Sequence, residues 1–463
     1  MPAPARTSPD PRELPIAERR LPTMSALTSV TGQKPSKRPA LPAGVSFWAV
    51  AGIAFLALAA NTAASPLYRV YQARFGFSAT VLTLLFTVYV VVLLVTLLLF
   101  GSASDYVGRR AVMLAGLAAG AIASALFLVA HALAVLFAAR ALQGLAVGLI
   151  SGSASAAVLD LRPASRAAPL VSSAAPTAGQ AVGALGGSAL AQYAPAPTRL
   201  IWWLLGGAFI IGIAAVLAMP EPGTVRPGVV SSLRPHVSVP REARGAFTAA
   251  VPCLVAVWAL GGFYLALGPS LAAQLLHSDN LLWGGTLIFL LTGLGAGASA
   301  VLNRTSPDRV MLGGCLALIA GALLTAVSIA TGVPAVLFAG TAVAGLGFGP
   351  GFVGAYRATV ALAPSGERAE LITAIYIVSY LASGIPVVIG GIATTHYGLH
   401  TTALIYSLGV AALAAAAVGL LIRRTGAADR GTGHPQLPPG PGTVPPCAPI
   451  AQGREGRHHD GQA

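Results

Sequence analysis

The stretch Gly101-Ser-Ala-Ser-Asp-Tyr-Val-Gly-Arg-Arg110 stands between two long apolar runs, one from Ser78 to Phe100 and one starting at Ala111. About 20 apolar residues suffice to cross a bilayer core as a helix. A short turn with one Asp and two Arg between two such runs belongs at a water interface, because those charges are costly in lipid. The stretch therefore places the chain among membrane-spanning helical proteins.

Composition agrees. The chain has 463 residues, 55% hydrophobic and 9% charged, with mean hydropathy +0.76. A soluble domain carries about 25% charge, so an ordinary soluble fold is excluded. The net charge of +14 does not indicate nucleic-acid binding, because the cations lie in tails and short loops between apolar runs. Of the 28 basic residues only Lys34 and Lys37 are lysines. Cys253, Cys315 and Cys447 show neither metal spacing nor a disulfide framework. His458-His459 is too sparse for a metal site, and no cofactor is expected.

Apolar runs predict twelve spans, at 45–66, 78–100, 111–131, 133–156, 168–192, 199–219, 247–270, 281–302, 310–330, 334–356, 369–393 and 401–422. Residues 1–44 form a polar, Pro- and Arg-rich tail, in which Met24 is an alternative start to Met1. Residues 45–220 form a six-helix bundle, 221–246 a linker loop and 247–424 a second bundle. Residues 425–463 form a second tail, read like the first as disordered. The first apolar run is too long and too far from Met1 for a signal peptide.

Arginines set the orientation. With both tails cytoplasmic, Arg109, Arg110, Arg162, Arg166, Arg226, Arg234, Arg241, Arg244, Arg304, Arg309, Arg357, Arg368, Arg423 and Arg424 lie inside. Only Arg69, Arg74 and Arg199 lie outside, a strong positive-inside bias. The expected location is the cell membrane, specifically a bacterial inner membrane.

The two halves repeat each other. Val135-Leu-Phe-Ala138, Gly144 and Gly148 recur as Val336-Leu-Phe-Ala339, Gly345 and Gly349, an offset of 201. Val112-Met-Leu114 and Gly116 recur as Val310-Met-Leu312 and Gly314; Gly186-Gly187 and Tyr193 recur as Gly390-Gly391 and Tyr397. Three matches in one order argue for a duplicated six-helix unit. Six is even, so the copies share one topology and relate by an axis along the membrane normal.

Over about 45–424 the chain resembles the major facilitator superfamily of transporters. Gly101, Asp105, Gly108, Arg109 and Arg110 match its motif A, and Arg140, Gln143, Gly144 and Gly148 match motif B. Gly179, Gly183 and Gly187 are similar to motif C, but Ala184 stands where the antiporter form has Pro and Ser188 where it has Gly. That departure favours ordinary small-residue helix packing at these glycines. The resemblance implies an all-α fold of twelve helices in two pseudo-symmetric bundles. It also implies that Asp105 docks near the start of span eleven, Glu367 to Leu371, as a gating latch. The competing reading makes the loop a topology anchor. The second half has Asn303 at the aligned position, so a latch would be one-sided.

The residues support such roles independently. Asp105 and Arg109, four apart, can pair on one helical face. Gly101 permits close helix approach, and Gly108 can take the positive φ of a short reversal. Arg140 is the one charge well inside a span, where insertion costs at least about 2.5–3.5 kcal/mol. It is read either as a substrate contact, or, as the resemblance to motif B implies, as a tuner of proton transfer, or as a structural arginine bonded to backbone carbonyls and snorkelling to the outer interface. Gln143 shares its face.

All 14 Asp and Glu lie in tails, loops or span ends. A buried carboxylate proton carrier is therefore missing; Asp160, Glu367, Glu370 and His131 are substitutes by position only. Asn61, Gln180, Trp258, Tyr264, Tyr376 and Tyr380 are the candidate cavity residues, while Tyr68, Tyr71, Arg69 and Arg74 are read as interfacial. An amide and aromatic cavity with few charges suits an amphipathic solute.

The expected function is transport of a small-molecule substrate, as efflux of an amphipathic compound with protons as the coupling ion. Uptake of a small organic anion or sugar through Arg140 is the alternative. A non-transporting membrane receptor or sensor is the alternative of another class. No enzyme site is expected, no nucleic-acid partner, and a monomer in the lipid bilayer.

Overall fold

The computed structural model describes residues 41–165, 167–223, 237–364 and 366–431, the last six as backbone. The expectations concerning Met1, Met24, the tail to residue 40, Arg166, Arg226, Arg234 and residues 432–463 fall outside these.

Twelve long helices follow in order. The first six are α1 (Ala43–Phe75), α2 (Ala79–Phe100), α3 (Arg109–Leu128), α4 (Leu133–Leu161), α5 (Ala168–Tyr193) and α6 (Leu200–Ala218). The second six are α7 (Arg241–Ala266), α8 (Leu282–Val301), α9 (Pro307–Thr331), α10 (Pro334–Val360), α11 (Arg368–Tyr397) and α12 (Leu399–Gly431). Short helices Ser104–Val107 and Gly268–Leu276 precede α3 and follow α7. Among the described residues there is no strand. Eleven of the twelve are long and apolar enough to cross a membrane. The exception is α5, diluted by Ser172, Ser173, Thr177, Gln180 and Ser188; it packs between α1 and α8.

The packing repeats as the sequence does. In the first half α1 packs on α4, α5 and α6, α4 on α2 and α3, and α3 on α6. Adding six to every label gives the contacts of the second half. The halves meet where α2 packs on α11 and α5 on α8, seams that the same shift interchanges. The duplicated unit is thus a repeated three-dimensional arrangement.

Lipid supplies no hydrophobic drive between helices, so small residues that let backbones approach decide the packing. On α5, a Cβ at Gly179 or Gly183 would strike the backbone of Phe55 or Ala59 on α1. One at Gly187 would lie 2.9 Å from the Ala63 Cα. Gly144 and Gly148 seat α4 against α2 in the same way, at Tyr89 and Thr96.

Three boundaries differ from expectation. Pro66 does not end the first span: α1 continues to Phe75. Tyr68 and Tyr71, read as interfacial, are each 1% exposed. A proline is tolerated inside a membrane helix where neighbours satisfy the freed backbone groups. In the second half Pro269 lies 203 residues after Pro66, and there the helix does break, at Leu267, before Gly268–Leu276. Finally, α7 starts at Arg241, inside the expected linker, and α12 runs to Gly431, into the expected tail.

Both ends of the described chain lie on the face that carries Gly101–Arg110, here called the motif face. The Leu41 N–H donates to the Ala218 carbonyl at the end of α6 (2.9 Å), and Arg424 pairs with Asp308 at the start of α9 (3.6 Å).

Candidate functional site

Arg140, two turns into α4, is 1% exposed. Its Nη1 donates to Gln143 Oε1 at 2.7 Å, to Asn61 Oδ1 at 3.2 Å and to the Asn61 carbonyl at 3.4 Å. Gln143 Nε2 donates in turn to the Ala60 carbonyl at 3.1 Å. The guanidinium lies over the rings of Tyr89 (4.6 Å) and Tyr68 (5.4 Å), positions that stabilise a buried cation through the ring quadrupole. Arg140 Nε and the Tyr68 hydroxyl have no hydrogen-bond partner. Among the described residues no carboxylate is within ion-pair distance of Arg140. The cation is held by amides, carbonyls and π faces alone.

The structure corrects two cavity assignments. Asn61 is 4% exposed and turned to Arg140. Tyr264, its counterpart in the repeat, is fully buried; its hydroxyl lies 3.0 Å from Thr325 Oγ1 and accepts from Thr341 Oγ1 at 3.0 Å. Thr341 aligns with Arg140, so the same position in the fold holds a charged cluster in one half and a hydroxyl cluster in the other. Amide and phenol groups in apolar runs need partners, and here each finds them within its own bundle.

Gln180, Trp258, Tyr376 and Tyr380 do line cavities, which open along the two seams between the halves toward the motif face. One, of about 340 Å³, lies between α2, α4 and α11 and includes Gly101, Ser151, Ser155, Tyr376 and Tyr380. The other, of about 380 Å³, lies between α5, α7, α8 and α10 and includes Thr177, Gln180, Trp258, Ser299 and Phe352. Trp258 and Tyr380 join the two, their ring centroids 5.4 Å apart; Phe352 stands edge-on to Trp258 at 5.5 Å, and Tyr376 stacks near Tyr380 at 6.1 Å. No Asp, Glu, Lys, Arg or His lines either cavity. Arg140 does not reach them. Each is of small-molecule size, and the walls offer ring faces, hydroxyls and two amides, Gln180 and Asn303.

The opposite face is bridged by bonds between the halves. Arg69 pairs with Asp279 at 3.0 Å. The hydroxyls of Thr80 and Thr395 meet at 2.9 Å, and Thr80 Oγ1 donates to the Gly391 carbonyl at 3.3 Å. The Leu281 N–H donates to Gln192 Oε1 at 2.9 Å.

Asp105, Arg109 and Arg110 of the loop bond within the first half. Asp105 pairs with Arg109. Arg109 also binds Asp160 on α4 (3.2 Å) and Ser104 Oγ (2.6 Å). Gly108 has φ 103°, and against it sits the Glu221 carboxylate. Glu221 accepts from the Arg109 N–H at 2.6 Å and the Arg110 N–H at 3.3 Å, so it caps the N-terminus of α3. Arg110 caps the C-terminus of α6, donating to the carbonyls of Val216 (3.0 Å) and Leu217 (2.8 Å). Each side chain faces the helix end of opposite partial charge. Among the described residues no hydrogen bond or ion pair joins Asp105 to Glu367–Leu371. In the second half, Arg357 donates to the Asn303 carbonyl at 3.0 Å.

Sequence reasoning missed Glu221, Tyr68 and Tyr89. The only signal for Glu221 is an uncapped start at α3, which calls for an acceptor without naming one. His131, a possible proton carrier, is exposed, with Nδ1 2.8 Å from the Val129 carbonyl.

The family model described as Major Facilitator Superfamily matches residues 50–324. No curated protein matches the sequence. Solved structures do match in fold. The nucleoside transporter NupG has a TM-score of 0.63 at 12% identity, over 81% of this chain and 99% of its own. The peptide transporter POT has a TM-score of 0.65 at 15% identity, over 83% and 96%. A human organic anion transporter (TETRAN) has a TM-score of 0.57 at 17% identity, over 82% and 100%.

Proposed function

This chain belongs to the Major Facilitator Superfamily, and from that premise we propose that it exports a small amphipathic solute by alternating access, coupled to protons. The motif face is cytoplasmic in this reading, the tails with it, and the membrane is the bacterial cell membrane. The observation that carries the reading is the pair of charge-free, aromatic-lined cavities along the seams between the halves, on the side of the motif face and bridged over on the opposite one. Such a cavity takes its ligand from the cytoplasm. Its walls match an uncharged, ring-bearing molecule better than an ion, because an ion would lose hydration without gaining a counter-charge.

Coupling rests on groups away from the cavity. The described carboxylates all stand at helix ends or in loops, and Asp160 is joined to the loop through Arg109. A proton taken up at Asp160 or Asp105 would weaken their hold on Arg109. That links protonation to the motif-face ends of α3 and α4.

A second reading is uptake of an organic anion, favoured by one observation: Arg140 has no carboxylate partner. Tyr89 and Tyr68 would have to move for a solute to reach it.

The test is transport by purified protein in proteoliposomes with an imposed pH gradient, using a neutral aromatic dye and an aromatic carboxylate as competing solutes. Gradient-driven movement of the dye out of the compartment on the motif face is expected. Movement of the carboxylate alone, abolished in Arg140→Gln, would establish the second reading instead. Dye movement indifferent to the gradient would remove the coupling.

A further inference from the structure

On the face opposite the motif loop, a small pocket lies at the junction of α1, the α3–α4 turn and α6. Its volume is about 110 Å³, space for roughly three or four waters and far below that of a drug-sized ligand. Three basic side chains surround it: Arg74 from the last turn of α1, His131 from the turn, and Arg199 at the start of α6. Tyr71, Phe127 and Thr198 complete much of the wall.

This face is poor in arginine. Of the three on it, Arg69 is neutralised across the seam by Asp279. Arg74 and Arg199 form no ion pair among the described residues, and no carboxylate lines the pocket. Both guanidiniums are exposed at the rim, so solvent screens part of their mutual repulsion, and an anion between them would relieve the rest. The other groups are matched to an anion as well. Tyr71 accepts from Trp202 Nε1 at 3.0 Å and keeps its own hydroxyl proton to donate. His131 turns Nδ1 to the Val129 carbonyl and has Nε2 left. Arg199 is the N-cap of α6, a 19-residue helix, so the pocket lies beside that helix's N-terminal end.

The floor is rigid. Trp202 is fully buried and stacks on Phe127 at 3.9 Å. Trp203, next in the chain, is 66% exposed; a tryptophan in that setting marks the depth of the lipid headgroups.

We propose that this pocket is a binding site for a tetrahedral oxyanion: a phosphate, either free or carried by a lipid headgroup. Planar guanidiniums bind phosphate bidentately, and the site is too small for more than the phosphate group itself. Its occupant would tie together α1, the α3–α4 turn and α6 at their outer ends. The site is separate from the cavity between the halves and does not depend on the direction of transport.

The test is thermal unfolding of the full-length protein in an uncharged detergent. One arm adds inorganic phosphate against chloride at equal ionic strength. The other adds phosphatidylglycerol against phosphatidylcholine in mixed micelles. Saturable stabilisation by phosphate assigns a free oxyanion; stabilisation by phosphatidylglycerol alone assigns a headgroup. In either case Arg74→Gln with Arg199→Gln weakens the response roughly tenfold or more, the loss of charge-assisted hydrogen bonds. Arg423→Gln, a basic residue on the motif face, leaves it unchanged. Should the Gln pair fail to fold, Arg74→Lys with Arg199→Lys keeps the charge but loses the bidentate fork, and a weakened response is expected there too. A wild type stabilised by neither additive, or a folded double variant with full response, would overturn the site.

Discussion

A buried arginine without a carboxylate is the chemical centre of the first half. What stabilises Arg140 is geometry: two amide oxygens, a carbonyl and two ring faces gathered from α1, α2 and α4. Removing the guanidinium strands the oxygens of Asn61 and Gln143. Arg140→Ala is therefore expected to cost about 2–4 kcal/mol, from lost charge-assisted bonds plus a cavity, measured by unfolding of the purified protein. At the cavity, Trp258→Ala removes the ring that packs against Tyr380 and Phe352. A roughly tenfold rise in KM for the transported solute is expected. Tyr264→Phe should leave KM unaltered and lower stability by about 1 kcal/mol; a changed KM would return Tyr264 to the cavity. Both residues are aromatic positions in α7, and sequence periodicity does not separate them. Six residues apart on one helix, they face different neighbours.

Helix contacts rest on a few positions where a Cβ has no room. On α5, Gly183 meets the backbone of Ala59, whereas Gly186 on the same helix has nothing within 4 Å. Gly183→Val is expected to destabilise by roughly 1–3 kcal/mol through overpacking. Gly186→Ala should be neutral or stabilising by up to about 1 kcal/mol, through helix propensity. Comparison of their unfolding midpoints checks both, and equal effects would contradict the α1–α5 contact. At the motif loop, Glu221→Ala removes the cap of α3 and is expected to cost about 0.5–2 kcal/mol. The glycines were legible as small-xxx-small spacing. Glu221 was not, because its partners lie 111 and 112 residues away, a pairing created by the packing of α3 on α6.

For the whole molecule, the seams set the conformation. All the cross-half hydrogen bonds described here lie on the face opposite the motif loop. The Arg69–Asp279 pair is worth little alone, since the Asp279 side chain is fully exposed. Arg69→Gln combined with Thr80→Val and Gln192→Leu removes one bond from each group. That is expected to change the ratio of the two orientations about tenfold toward opening of this face. Spin labels at Ala73→Cys and Gln274→Cys, in a variant lacking Cys447, should then report a longer distance population. An unchanged distance distribution would mean that apolar packing along α2–α11 and α5–α8 holds the face shut.

The chain's pattern by itself determined that it is a twelve-helix membrane protein built as a tandem six-helix repeat. It also marked Gly101–Arg110 and Arg140 as the places to look. Those properties are local or periodic: apolar length, charge position and a repeat offset near 200 residues. Only the tertiary structure decided which polar groups partner one another and which face the cavity. It took Asn61 and Tyr264 out of the cavity, kept Gln180, Trp258, Tyr376 and Tyr380 on its walls, and brought Glu221 to the head of α3. It also drew Arg74, His131 and Arg199 around one pocket. The reason is that in lipid a buried polar group must find a partner on another helix, and the identity of that helix is set by how the bundle packs.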